Sequence, residues 1–333
     1  MEARNLKDNL RIVSHLNRSR IINLLKVYVS YKLSNLTGKA IVWGFPFALD
    51  YEPTTACNLR CPECPSGLRN FTRPTGMLAY NNFQQTINQV NKHCFYLMFY
   101  FQGEPFLNPS FLDMVSYAKT HNLYVATSTN AHFIDTNKAE QIIASGIDRL
   151  IISIDGLGQD TYQKYRVGGD YKKVIAGTKN IVNAKKLSKR GPHIIWQFIV
   201  FRHNEHQIKE VKALGKRLGV DEVRIKSAQL YNPDEKTDWM PKNKKYSRYA
   251  NSKAKLPNQC WRLWHASVVT WDGKVLPCCY DKDAQHTMGH LSNFGFKDIW
   301  TGKFYRAFRT SIKENRSQHE ICRNCGEGQK VWR

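Results

Sequence analysis

Three cysteines within eight residues, Cys57-Asn-Leu-Arg-Cys61-Pro-Glu-Cys64, restrict what this chain can become more than any other feature. They follow an apolar, β-rich run at 48–54, so one loop at the end of a strand carries three thiols. A cubane iron–sulfur cluster normally takes four cysteinates. A loop that supplies three leaves one iron open to a small molecule, as catalytic zinc keeps an open position. Zinc would need a fourth ligand, for which His93 or Cys94 is nearest in sequence.

Beyond that loop, β-rich runs alternate with helical-period segments. Strands are expected at 48–54, 95–101, 123–128, 149–154, 194–201 and 222–226. Helices are expected at 83–92, 110–120, 137–144, 171–187 and 205–218. Six strand–helix units are too few to close an eight-stranded barrel, so the fold class is α/β, a partial (β/α)6 TIM-like barrel over residues 46–228, with its working loops at the C-terminal strand ends.

Residues 229–258 are polar and lysine-rich, with Asn232-Pro233-Asp234 and Met240-Pro241 as breakers, and read as a solvated linker. A small cysteine-rich domain follows over 259–333. It carries Cys260, Gly273-Lys-Val-Leu-Pro-Cys278 and Cys322-Arg-Asn-Cys325, four thiols that make a closed site for an iron–sulfur cluster or for structural zinc. Cys94 and Cys279 are left over and read as buried apolar fillers.

The chain of 333 residues bears a formal charge of +23, which suits acidic partners without choosing among them. Residues 1–45 hold eight Lys and Arg against Glu2 and Asp8. This basic helical extension is expected to pack across one end of the barrel, the alternative being peripheral contact with an anionic membrane. No apolar run reaches the roughly 20 residues of a membrane span. The expected compartment is the cytoplasm, peripheral to a membrane if that alternative holds, with thiols kept reduced as metal ligands.

Together these features resemble the radical S-adenosylmethionine (SAM) superfamily, whose signature is CxxxCxxC after the first barrel strand. Gln102-Gly103-Glu104-Pro105, after the second strand, resembles the family's GGEP motif with Gln102 in place of the first glycine. By that resemblance Gly103, Glu104 and Pro105 frame the SAM ammonium. Ser128-Thr129-Asn130 resembles the ribose-contacting stretch, placing Ser128 and Asn130. Ser153-Ile154-Asp155-Gly156 resembles a further SAM-side segment, placing Ser153 and Asp155, and Arg166 matches the arginine that pairs with the SAM carboxylate. In one departure, Glu63 stands where the family commonly has an apolar or aromatic residue. The C-terminal cysteines resemble the SPASM/twitch extension, with Cys260, Cys278, Cys322 and Cys325 holding a single auxiliary [4Fe–4S] cluster of the twitch kind.

The resemblance implies a [4Fe–4S] cluster on Cys57, Cys61 and Cys64 that binds SAM, cleaves it reductively to methionine and a 5′-deoxyadenosyl radical, and so removes a hydrogen atom from substrate. It also implies a low-potential electron donor such as flavodoxin or ferredoxin. A small polar or envelope-related metabolite is the favoured substrate, with oxidation as the outcome and epimerisation as its rival. A peptide-modifying maturase is the alternative within the family. From another class, a zinc-stabilised basic nucleic-acid-binding protein would explain the charge but not the motif series, and no nucleic-acid partner is expected.

Overall fold

The computed structural model describes residues 6–230, 237–249, 257–323 and 325. Two helices come first, α1 (Leu6–Ser14) and α2 (Arg18–Thr37). Six strands then follow, β1 (Ala48–Tyr51), β2 (Tyr96–Met98), β3 (Tyr124–Thr129), β4 (Arg149–Ser153), β5 (His193–Val200) and β6 (Glu222–Ser227), all parallel and paired in chain order. Parallel neighbours need long crossovers. These contain the short α3 (Pro65–Leu68), then α4 (Tyr80–Val90), α5 (Phe111–Thr120), α6 (Thr136–Ala144), α7 (Gln159–Tyr165), α8 (Tyr171–Ser188) and α9 (Ile208–Leu218).

Alternation along each strand sends one set of side chains outward against these helices. Leu97, Leu150 and Trp196 are fully buried there with Phe83, Ile87, Met114 and Ile181. Trp196 also donates its indole N–H to Thr178 Oγ1 at 3.0 Å, tying β5 to α8. The result is the expected partial barrel, with strand ends shifted by one to three residues. The short α3 and α7 fall outside the expected helices.

The C-terminal segment continues the same sheet. After α10 (Arg262–His265), β7 (Ala266–Val269) pairs in parallel with β1, from Ala48↔Ala266 to Tyr51↔Val269. Then β8 (Lys274–Leu276) and β9 (Gly289–His290) add antiparallel, making nine strands in the order β6-β5-β4-β3-β2-β1-β7-β8-β9. Three helices, α11 (Phe296–Trp300), α12 (Lys303–Asn315) and α13 (Glu320–Arg323), complete the segment.

A buried ion pair reinforces this join. Arg73 donates from both terminal nitrogens to Glu52, at 2.8 and 2.5 Å, and its Nε donates to the Lys282 carbonyl at 3.2 Å. Glu52 accepts in turn from the Trp271 backbone N–H at 3.2 Å. Gly76 lies so close to the Trp271 ring that a Cβ would stand 2.6 Å from it.

Helices α1 and α2 lie across the N-terminal ends of the strands. Arg20 is buried and donates to the carbonyls of His15, Asn91, His121 and Asn122, closing the ends of α4 and α5. Asp8 is buried against Arg149, at the start of β4, and the Tyr124 hydroxyl.

Part of the expected solvated linker is packed instead. Leu230 is buried, and Trp239, Met240 and Tyr249 cluster with Leu59, Cys61, Tyr165 and Phe201. The Tyr249 hydroxyl accepts from the Leu230 N–H at 2.7 Å. Average polarity hid these four side chains among lysines, while the remaining linker residues, 231–236 and 250–256, lie outside the described residues.

Candidate active site

The C-terminal ends of β1 to β5 bring the first cysteine loop and the SAM-type motifs together. Just beyond β1, Cys57 and Cys64 are half-buried and Cys61 is buried. The Leu59 N–H donates to Cys57 Sγ at 3.4 Å, and Gly67 packs so tightly on the loop that a Cβ would sit 2.5 Å from the Cys61 nitrogen. Burial pushes the Cys57 thiol up to about 12, with Glu104, Cys61 and Cys64 adding to the shift. Burial also raises Cys61, opposed by Arg166. Thiols that raise one another in this way become thiolates readily only when metal neutralises them, which is the chemistry of a cluster loop.

Gly103 folds over this loop. Its φ is +74°, and a Cβ would lie 2.3 Å from the Thr54 carbonyl oxygen, so only glycine fits. Its N–H donates to Ser66 Oγ at 2.9 Å, while the Glu104 N–H donates to the Ala56 carbonyl at 2.8 Å. Gln102 is buried, with Oε1 4.0 Å from Cys64 Sγ. Pro105 is buried and opens a single 3-10 turn.

The Glu104 carboxylate accepts from Thr129 Oγ1 at 2.7 Å, the Asn130 N–H at 2.8 Å and the Phe106 N–H at 3.4 Å. Burial nevertheless raises it to about 7. A carboxylate so placed has spare electrostatic demand for a cation. Asn130 Nδ2 donates to Asn58 Oδ1 at 2.7 Å, joining the third strand end to the cysteine loop. Ser128 is half-exposed and Ser153 is buried.

Asp155 is fully buried and accepts from the Ile199 N–H at 2.7 Å and from Arg166 Nε at 2.6 Å. Arg166 in turn reaches Cys61, with Nη1 3.8 Å from Sγ. Asp155 therefore aims a guanidinium at the cysteine loop and leaves donors for an incoming carboxylate. Sequence reading had placed Asp155 and Arg166 as separate SAM contacts; here they form one unit.

In the second set, Cys260 interacts electrostatically with each of Cys278, Cys322 and Cys325. Burial raises Cys260 and Cys322, the latter to about 12; Arg316 opposes both shifts and Cys325 adds to both. Cys278 is raised by its hydrogen bond with Cys279 and then by burial. Among the described residues, no three His, Cys, Asp or Glu side chains converge closely enough for one metal ion. Four thiols that interact through Cys260 are the donor set a cubane takes. His93 and Cys94 cannot complete the first loop, because they precede β2 at the opposite end of the barrel. His93 packs at a tilt against Phe45, and Cys94 donates its S–H to the Tyr96 carbonyl.

Cys279 lies elsewhere than a filler would. It is half-buried and electrostatically coupled to Arg262, Tyr100, Lys226 and Lys282. Lys282 is also coupled to Cys64, so it is within electrostatic range of both the first cysteine loop and Cys279. Nothing local in the sequence marks them, since they come from the end of β2, from β6, from α10 and from the loop after β8.

Comparison with known proteins agrees with this arrangement. Residues 51–211 match the radical SAM superfamily, and residues 260–326 match the SPASM iron–sulfur cluster-binding domain. A tungsten-containing aldehyde ferredoxin oxidoreductase cofactor-modifying protein of Pyrococcus furiosus is 24% identical over 313 residues, covering 79% of this chain and 83% of its own. The PqqA peptide cyclase of Gluconobacter oxydans is 23% identical over 312 residues, covering 86% and 84%. Streptococcus suis SuiB bound to S-adenosylmethionine shares the fold, with a TM-score of 0.66 at 14% identity over 93% of this chain and 78% of that one. The two domain matches displace the zinc-stabilised nucleic-acid-binding reading. The chain belongs to the radical SAM superfamily and carries a SPASM domain, which makes it an enzyme of S-adenosylmethionine and a [4Fe–4S] cluster with auxiliary iron–sulfur binding at its C-terminal end.

Proposed function

We infer that this enzyme removes hydrogen from a small, negatively charged metabolite and oxidises it. Cys57, Cys61 and Cys64 hold the cluster, and Cys260, Cys278, Cys322 and Cys325 hold one auxiliary cluster. Gly103, Glu104 and Pro105 frame the SAM ammonium, Arg166 braced by Asp155 takes its carboxylate, and Ser128, Asn130 and Ser153 lie along the nucleoside. When bound, these cofactors supply a hydrogen-abstracting radical and a sink for the electron that substrate then gives up. The protein's share is positioning and insulation. A low-potential flavodoxin or ferredoxin supplies the electron, and the reducing cytoplasm is the fitting compartment for nine free thiols.

The observation that carries the substrate class is Lys226. It stands near the C-terminal end of β6 with no hydrogen-bond or ion-pair partner among the described residues. Burial lowers its pKa, Arg224 and Arg248 lower it further, and Cys279 and Glu222 oppose the shift, Glu222 being already bonded to Arg224. Arg248 donates to the Tyr280 hydroxyl at 3.1 Å and the Ser227 carbonyl at 3.4 Å, while its Nε is buried without a partner. Cations gathered in a partly desolvated space are costly unless an anion joins them, and a carboxylate or phosphate of substrate does so.

The test is 5′-deoxyadenosine formation by anaerobic, dithionite-reduced enzyme offered small acidic metabolites, neutral polyols and peptides. Acidic metabolites are expected to raise the rate above uncoupled turnover, and Lys226→Met to remove most of that rise while sparing uncoupled cleavage. Stimulation by peptides alone would favour the maturase reading, which the PqqA peptide cyclase supports by its likeness. Cys278→Ala is expected to keep uncoupled SAM cleavage and lose oxidised product. Product formed at the parent rate would remove the auxiliary cluster from the reaction.

A further inference from the structure

Helix α2 is amphipathic in the reverse of the usual sense. Its buried stripe is Arg20, Asn23, Val27, Ser30 and Ser34, four of them polar. These are bonded inside the fold: the two terminal nitrogens of Arg20 to the four carbonyls described above, its Nε alone being without a partner, Asn23 to both backbone groups of Phe45, Ser30 to Val27, and Ser34 to Ser30 and Ile41. The apolar side chains point outward. Ile21, Ile22, Leu25, Tyr28, Val29 and Leu36 are all exposed, Leu25 by 59% and Leu36 by 83%. At 100° per residue they share one face, with Arg18 and Lys32 among them and Lys26 at its margin.

Helix α1 behaves alike. Leu6, Leu10 and Val13 recur at helical spacing and are exposed, while Asp8 is turned in. Both helices lie across the N-terminal strand ends, so the faces they turn from the barrel look away from the cysteine loops. An apolar surface of this extent calls for an occupant.

Charge chooses the occupant. Lys7, Arg18, Lys26, Lys32 and Lys39 are exposed on this side. Asp8, buried with Arg149, is the one acid in residues 6–49. A second copy docking here by two-fold symmetry would set these cations against themselves. An anionic bilayer accepts both components, with apolar side chains entering the acyl boundary and Lys and Arg stems extending to the headgroups. No helix among the described residues is long and apolar enough to cross a membrane, so the contact is with a surface.

We propose that the outward face of α1 and α2 docks the enzyme on an anionic lipid surface, leaving the mouth of the barrel turned away from it. This contact is independent of the substrate reading above.

The experiment is co-sedimentation of the full chain with phosphatidylglycerol–phosphatidylcholine vesicles, alongside vesicles of phosphatidylcholine alone. Binding is expected on the anionic vesicles and is weakened by added salt. The double variant Leu25→Asp/Val29→Asp is expected to bind about tenfold more weakly or worse. Both side chains are exposed, so its thermal midpoint and uncoupled SAM cleavage stay at parent values. Three outcomes would overturn the proposal: no binding to anionic vesicles, undiminished binding by the variant, or a dimer in sedimentation velocity that the variant dissociates while neither protein pellets with lipid.

Discussion

Cys61→Ala is expected to lose about four irons per chain and all SAM cleavage, because two thiolates from one loop cannot hold a cubane. Iron and sulfide content, electron paramagnetic resonance with and without SAM, and 5′-deoxyadenosine yield read this directly. Cys61 packs beside Leu59, Tyr165 and Phe201, so a general packing loss must be separated from a lost ligand. Cys94→Ala serves as the control. That thiol is also buried, but it lies at the far end of the barrel, where burial pushes it up to about 12 and its S–H is used in a backbone hydrogen bond. The control should keep its iron and its cleavage. SAM cleavage surviving in Cys61→Ala would refute the cluster loop.

Glu52→Gln is expected to cost about 3–5 kcal/mol, read from urea unfolding, since it strands a buried guanidinium. Arg73 is 3% exposed at its side chain and Glu52 0%, and burial raises the Glu52 carboxyl while Arg73 opposes that shift. The same pair touches Trp271 and Lys282, so the loss spreads from the cysteine loop into the C-terminal segment. Replacing both partners, Glu52→Leu with Arg73→Met, is expected to recover most of the stability, because no charge is then left alone. A single variant within about 1 kcal/mol of the parent would mean that the pair is not closed in solution.

The barrel strands were legible because parallel strands buried on both faces are written as β-rich apolar runs, and their order followed from short connections. The first cysteine loop was legible because its three cysteines are adjacent in sequence. The pairing of β7 with β1 was not, since Ala266–Val269 names no partner and the two strands are more than 200 residues apart. The direction of the apolar face of α2 was left between the packed and the membrane-facing alternatives because its spacing looks the same whether the apolar stripe points in or out. Only the carbonyls waiting for Arg20 at the barrel end decide the direction. Lys226, Arg248 and Cys279 stayed hidden for a related reason. A site assembled from three distant segments leaves no spacing to read.

The ladder between β1 and β7 has a consequence for spacing. One strand leads directly into the first cysteine loop, and its hydrogen-bonded neighbour leads through a tight hairpin to Cys278. The separation between the first cysteine loop and Cys278 is thus built into a single piece of sheet. If the first loop and Cys278 each held a cluster, the sheet would keep their spacing the same with substrate absent or present.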